Sequence, residues 1–268
     1  MKISVVTAVF NSEKTIERNI LSVLNQSHQD FEQILIDNLS SDKTVQFARE
    51  LYDSHGISEK LKIISEKDKG ISDAFNKGIN ASSGEIVAIL NGDDAYYDDS
   101  VFEKVSEAFE NKEVLFVHGD MLFDDPVYGS NVRRPLMCPA AAAMPYNHPS
   151  MFFLKKVYEQ YGLFDLSYRY AMDHELIIRY NKIIPGFSSK GRYIEGTPLV
   201  IMYSGGTSWK YEINAIKESK DAVIKNGMWD SYAKKEYLFR IWRTRIKIVL
   251  NALGMNFIVR LWRKNKWG

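Results

Sequence analysis

The chain has 268 residues, 45% hydrophobic and 26% charged, an ordinary globular composition with length for one large or two modest domains. Its formal net charge of +1 argues against a nucleic-acid partner, and a single cysteine, Cys138, excludes an intrachain disulfide and fits a reducing compartment. No stretch reaches the ~18 apolar residues needed to span a bilayer, and the opening apolar run is too short for a signal-peptide core.

The first half alternates between two hydrophobic periods. Residues 3–9 read as a strand. Ser12 is a candidate N-cap for a helix over 15–24, with Ile16, Ile20, Leu21 and Leu24 on one face. A second strand spans 31–37. The cluster Ser40, Ser41, Asp42 offers the next N-cap, ahead of a helix over 45–52. A third strand covers 61–65, a helix 70–81, and a fourth strand 86–90. Alternation at this spacing predicts a parallel, doubly wound sheet. Each strand ends in a polar cluster: Asn11, then Asp37 and Asn38, then Glu66 to Asp68, then Asn91 to Asp94. A parallel sheet gathers such clusters at one edge, where open α/β sheets take their ligands.

Beyond Asp94 the pattern changes. A helix is predicted over 101–109 and a strand over 114–118. Residues 126–144, rich in Pro, Gly and Ala and carrying Arg133 and Arg134, read as a long loop with extended pieces. The two arginines could clamp a diphosphate or simply face solvent. A short strand over 150–153 and helices over 155–161 and 173–180 follow. Residues 217–267 look mostly helical. No internal repeat or low-complexity segment is present.

The turn Asn91-Gly92-Asp93-Asp94 places two carboxylates directly after an apolar strand. Such a pair suits a hard divalent cation that in turn holds a diphosphate; a solvated acidic turn is the plainer alternative. Asp173 opens a helix, where the dipole alone favours an acid. His148 precedes Pro149 at the start of a short strand, a place where a histidine often serves only as a hydrogen-bonding residue. Cys138 has no histidine in a matching motif, which argues against a nucleophilic role.

Taken together, these segments resemble family 2 glycosyltransferases of the GT-A fold, most nearly bacterial enzymes that build surface polysaccharides. The resemblance runs over most of the first 210 residues. It rests on Thr7 to Asn11, Ile36 to Asp42, Ser65 to Gly78, Leu90 to Asp94, Asn147 to Phe153, Tyr161 to Asp165, Ala171 to Glu175 with Arg179, and Ser204 to Ser208. It implies a Rossmann-like, mostly parallel α/β sheet flanked by helices. It also implies a catalytic domain over 1–215, with a nucleotide-sugar-binding half (1–98) and an acceptor-binding half (99–215). A helical basic and aromatic extension would cover 216–268.

The implied activity is an inverting transfer of a sugar from a nucleotide-diphospho-sugar, expected to be a UDP-sugar, to a hydroxyl of a glycan or lipid-linked acceptor. By the resemblance, Thr7, Phe10 and Asn11 line the nucleotide pocket, and Asp37 with Asn38 reads the base. Asn38 stands where the family usually has a second acid, and its amide can still pair with a uracil edge. Asp68, Asn76 and Lys77 would approach the base and diphosphate. Asn91 and Gly92 lead into Asp93 and Asp94, the metal pair for Mn²⁺ or Mg²⁺, with Asn91 replacing an acid of the usual motif. Asp173 matches the catalytic base, and His148, Glu175 and Arg179 fall on the acceptor side.

Two other classes share enough of the pattern to be tested: an inactive nucleotide-sugar-binding scaffold, favoured by Asn38 and Asn91, and a nucleotidyltransferase. The latter class usually has a glycine-rich basic loop after the first strand, where this chain has Phe10-Asn11-Ser12-Glu13-Lys14. From Asp230 onward ten Lys or Arg stand against two acids, interleaved with Trp242, Trp262 and Trp267. Basic amphipathic helices with tryptophan suit an anionic membrane interface, so peripheral contact at the inner face of the cytoplasmic membrane is expected; a helix packed on the catalytic domain is the alternative.

Overall fold

The protein is a computed structural model described over residues 1–126, 129–204, 211–255 and 257–258. The first strands are apolar on both faces because both faces are covered. β1 (Ile3–Val9) lies between β2 (Phe31–Asp37) and β4 (Ile86–Ile89), parallel to both, and β3 (Leu61–Ser65) extends the sheet beyond β2. Along β1 the period of two sends Ile3, Val5 and Val9 into one core with α1 (Ile16–Leu24) and α2 (Thr44–Ser54). Val6 faces the other core with α3 (Ile71–Ala81). Gly78 lets α3 sit directly on the sheet: a Cβ there would lie 2.1 Å from Val6 Cγ1.

The short strand β5 (Ala95–Tyr96) and α4 (Val101–Ala108) follow the acidic turn. β6 (Phe116–Gly119), β7 (Met121–Asp124) and β8 (Asn131–Arg133) come next. After a 3₁₀ turn at His148–Ser150 come β9 (Phe152–Leu154), α5 (Lys155–Tyr161) and α6 (Met172–Ile183). β10 (Gly191–Ile194), β11 (Val200–Tyr203), α7 (Glu212–Lys225) and α8 (Ser231–Ala252) complete the described elements. The main sheet has the order β10-β6-β9-β4-β1-β2-β3, with β9 antiparallel to both neighbours and the rest parallel. A second sheet, β5-β11-β7-β8, was not foreseen from the sequence.

Several expectations are corrected. Ser12 does not cap α1: its carbonyl accepts Thr15 N and Ile16 N, and Thr15 holds the N-cap position with no side-chain cap bond. Lys43, not the Ser40–Asp42 cluster, occupies the N-cap position of α2, although Asp42 Oδ1 still accepts Thr44 N at 3.0 Å. The 126–144 loop contains β8. The C-terminal helical stretch is a hairpin, α7 and α8, broken at Gly227, whose φ is 71°. Gly205 to Ser208, Trp262 and Trp267 lie outside the described residues.

Candidate functional site

Because β1 to β4 run parallel, their carboxyl ends share one edge, as the sequence predicted. The loops there are laced to each other. Asn11, held at φ 50°, accepts Ser41 N on Oδ1 at 2.9 Å, and Ser40 Oγ accepts Asn11 N at 2.8 Å. Asp37, 1% exposed, accepts Ser40 N at 3.1 Å and Ser65 Oγ at 2.6 Å. Asn38 Oδ1 accepts Asp68 N at 2.9 Å, and Asp68 Oδ1 accepts Gly70 N at 2.8 Å. Phe10 stands out from this edge, 59% exposed. A large ring held open to solvent beside these loops is placed to stack on a planar ligand.

The acidic turn closes the edge at β4. Asp94 N donates to Asn91 O at 3.0 Å. Gly92 permits close approach to β1, since a Cβ there would meet Val9 Cγ1 at 2.7 Å. Asp94 is buried; its Oδ1 accepts Tyr203 N at 3.2 Å and its Oδ2 accepts Asn91 Nδ2 at 3.4 Å. Burial, and then the charge of Asp93, push the Asp94 carboxyl up to about 8. Burial also pushes Asp93 up. Two adjacent acids that resist ionising together are a place where a cation is favoured. Asn91 Oδ1, buried with no hydrogen-bond partner among the described residues, adds a neutral oxygen. A site with two carboxylates fits Mg²⁺ or Mn²⁺ that completes its shell with water and phosphate oxygens. No group of three or more acidic, histidine or cysteine side chains that could hold a metal occurs among the described residues.

A buried polar network supports this turn, and sequence reasoning missed it. Asn19 Nδ2 donates to Asn91 O and Asp94 O, both at 2.9 Å. Gln33 Nε2 donates to Asn19 Oδ1 and Thr7 Oγ1, and Tyr52 donates to Gln33 Oε1. Thr7 is therefore fully buried beneath the edge and reaches the turn only through Gln33 and Asn19. Arg18 donates to Asp93 O at 2.7 Å and stacks on Tyr203 at 3.4 Å. The available signal was Asn19 on the otherwise apolar inner face of α1, with Ile16, Ile20 and Val23.

On the other side of β4, the antiparallel β9 brings its amino end to the same edge. This places His148, which packs against Phe75 and Phe164 with ring centroids 6.3 and 5.9 Å away. Burial pushes His148 down, while the nearby Asp173 carboxylate pulls it back up. Asp173 lies in the first turn of α6, half-buried, and accepts His174 N at 2.8 Å. His174 is buried, donates through Nε2 to Ala140 O at 2.8 Å, and is driven down to about 4 by burial first.

Other expected contacts turn inward. Asn76 spends its amide on Phe164, donating to the carbonyl at 2.8 Å and accepting the N–H at 2.9 Å. Lys77 pairs with Glu66 at 2.8 Å and Asp73 at 3.4 Å. Glu175, 2% exposed, pairs with Arg179, whose other donors reach Tyr161 O and Leu163 O. This ion pair clamps the turn after α5. The Arg133 guanidinium packs over the Phe123 ring at 3.6 Å. Burial raises the Cys138 thiol.

The family model for glycosyl transferase family 2 matches residues 4–179. An uncharacterized glycosyltransferase, alr2836, of Nostoc is 33% identical over 117 residues, covering 44% of this chain and 35% of that protein. The chain likewise spans less than two thirds of two further bacterial relatives. Among solved structures, S. aureus TarS 1-349 in complex with UDP-GlcNAc aligns with a TM-score of 0.65 at 14% identity, covering 90% of this chain and 72% of that one. The mannosyltransferase PcManGT from Pyrobaculum calidifontis, in complex with GDP-Man and Mn²⁺, aligns with a TM-score of 0.62 at 16% identity, covering 97% and 82%. These structural likenesses show the GT-A fold.

Proposed function

The chain belongs to glycosyl transferase family 2, and we propose that it transfers a sugar from a nucleotide-diphospho-sugar to a hydroxyl of a glycan or lipid-linked acceptor, with inversion. The observation that carries this reading is the raised-pKa acid pair at the end of β4, on the same sheet edge as the loops that follow the parallel strands β1 and β2. Phe10 and the loops bearing Asn11, Asp37 and Asn38 would take the nucleoside, UDP being the expected carrier. Asp37 would act through the turn it braces, because both its oxygens are already engaged by Ser40 and Ser65.

Asp93 and Asp94 would hold Mn²⁺ or Mg²⁺. A bound cation of this kind offsets the charge that builds on a departing diphosphate. Asn19 and Arg18 keep the turn in place through its carbonyls. Asp173 would take the proton from the acceptor hydroxyl as that oxygen attacks the anomeric carbon from the face opposite the diphosphate. His148, held by Phe75 and Phe164, would border the acceptor. The nucleotide and TarS and PcManGT complexes support a nucleotide-sugar donor without fixing which one.

The C-terminal hairpin would seat the enzyme on an anionic membrane. No helix among the described residues is long and apolar enough to cross a membrane. On α8, however, Leu238, Phe239, Trp242 and Val249 are exposed beside Lys234, Lys235 and Arg245. Cytoplasmic placement at the inner membrane face would follow.

The test is turnover of UDP-glucose, UDP-galactose, UDP-N-acetylglucosamine and GDP-mannose with and without Mn²⁺. Metal-dependent release of the nucleotide from at least one donor is expected. Saturable nucleotide binding with no turnover of any donor would favour the inactive scaffold instead.

A further inference from the structure

The helix that carries Asp173 begins without a cap of its own. Ala171 holds the N-cap position of α6 and offers no side-chain acceptor. An acceptor from α7 instead grips the backbone that leads into the helix. One carboxylate oxygen of Glu218, Oε2, accepts three consecutive backbone N–H groups: Arg169 at 3.0 Å, Tyr170 at 2.7 Å and Ala171 at 3.0 Å. Consecutive N–H groups converging on one point form an anion-holding concavity, and the positive end of a helix favours an acid there. Hydrogen bonds to an ionised acceptor are about twice as strong as neutral ones.

The same face of α7 grips this segment a second time. Lys225, seven residues after Glu218, pairs with Asp165 at 3.0 Å. Asp165 also accepts Ser167 N at 2.9 Å. From the other side, Ser72 on α3 donates to Tyr168 O at 3.1 Å. The chain over 165–171 is thus strung between α3 and α7, and its last three amides are fixed by one carboxylate two residues ahead of Asp173.

We propose that Glu218 is a positioning residue for Asp173: by fixing where α6 starts, it fixes the direction in which the Asp173 carboxylate projects. This rests on reading Asp173 as the base. It gives the C-terminal hairpin a part in the chemistry, although the hairpin lies beyond the residues that match the family model. A base misplaced by ~1 Å can cost ~10²-fold in rate.

The experiment is a double-mutant cycle on the full chain, following Mn²⁺-dependent turnover of whichever of the four named nucleotide-sugars is used fastest. Glu218→Ala should lower kcat by about 10- to 100-fold with the donor KM nearly unchanged. Glu218→Gln, which keeps a carbonyl oxygen for the three N–H groups, should recover most of that loss and serves where the alanine variant folds poorly. In an Asp173→Asn background, Glu218→Ala should cost nothing further, because the group it orients is already disabled. An equal loss in both backgrounds, or unchanged kcat in Glu218→Ala, would overturn the positioning role. Normal turnover in Asp173→Asn alone would remove the base assignment, and the positioning role with it.

Discussion

Asp94 is held as an acid in a place that disfavours its charge. Its folded value, about 8, lies above the ordinary 3.8. The fold therefore prefers the protonated form, and this contribution is complete below 3.8 and lost as pH rises towards 8. Metal-free wild type should lose thermal stability relative to Asp94→Asn across that window, by several degrees in Tm; parallel melting curves for the two proteins would contradict the assignment. A divalent cation acts in the opposite sense, because it binds the ionised form, so its apparent affinity should climb over the same window. At Asp173 the expectation is kinetic. Asp173→Asn keeps the shape and loses the acceptor for a proton, so turnover should fall by ~10²-fold or more while donor affinity is nearly preserved. Near-normal turnover would make Asp173 a helix-end acid only. Motif position marked Asn76, Glu175 and Arg179 but did not reveal their partners. Asn76 is bound to Phe164, 88 residues away, and that pairing is set by packing that local sequence does not encode.

Among the elements, the parallel strands were legible because burial on both faces leaves long apolar runs, as in β1, β2 and β4. The second sheet was not, because its strands are two to four residues long, too short for a period of two to stand out in the sequence. Boundary errors such as Ser12 arose where a backbone turn satisfied the donors that a side-chain cap would have taken. One element-level clip is testable. Glu32 on β2 accepts Ser4 Oγ at 2.6 Å, Ser83 N at 2.6 Å and Lys2 Nζ at 3.2 Å, joining β1, β2 and the approach to β4. Burial alone would raise its carboxyl, but these donors outweigh it and hold it at about 2, against an ordinary 4.5. Its stabilising effect is present above 4.5 and fades as pH falls towards 2. Urea unfolding at neutral pH should show Glu32→Gln less stable by ~1–2 kcal/mol, allowing for the partly exposed Lys2, with the difference shrinking in acid. An equal deficit at both pH values would mean that the carboxylate's charge is not what holds the strands.

At the scale of the molecule, the sheet edge collects the loops after the parallel strands while the C-terminal hairpin braces the segment packed on α6: Arg240 on α8 donates to Ala142 O at 3.1 Å, two residues beyond the carbonyl held by His174. The outer face of α8 leaves Leu238 61% and Trp242 57% exposed among basic residues, and Leu253 at its C-cap is 65% exposed. Each base near an anionic surface contributes ~1 kcal/mol, screened over roughly 8 Å at physiological salt. Full-length protein should sediment with anionic vesicles at low salt and be released as salt rises; if it stays in the supernatant, the hairpin is a structural brace alone. The sequence pattern announced the basic, aromatic tail but not that its helices reach back to α6, since Glu218 and Arg240 carry no motif. In the proposed reaction the acidic turn after β4 carries a cation-bridged nucleotide diphosphate, and calorimetric titration of UDP with Mn²⁺ decides whether it does. Wild type should bind UDP saturably only when Mn²⁺ is present, and Asp93→Ala should lose that binding with its melting temperature intact. Unchanged, metal-dependent affinity in a folded Asp93→Ala protein would contradict it.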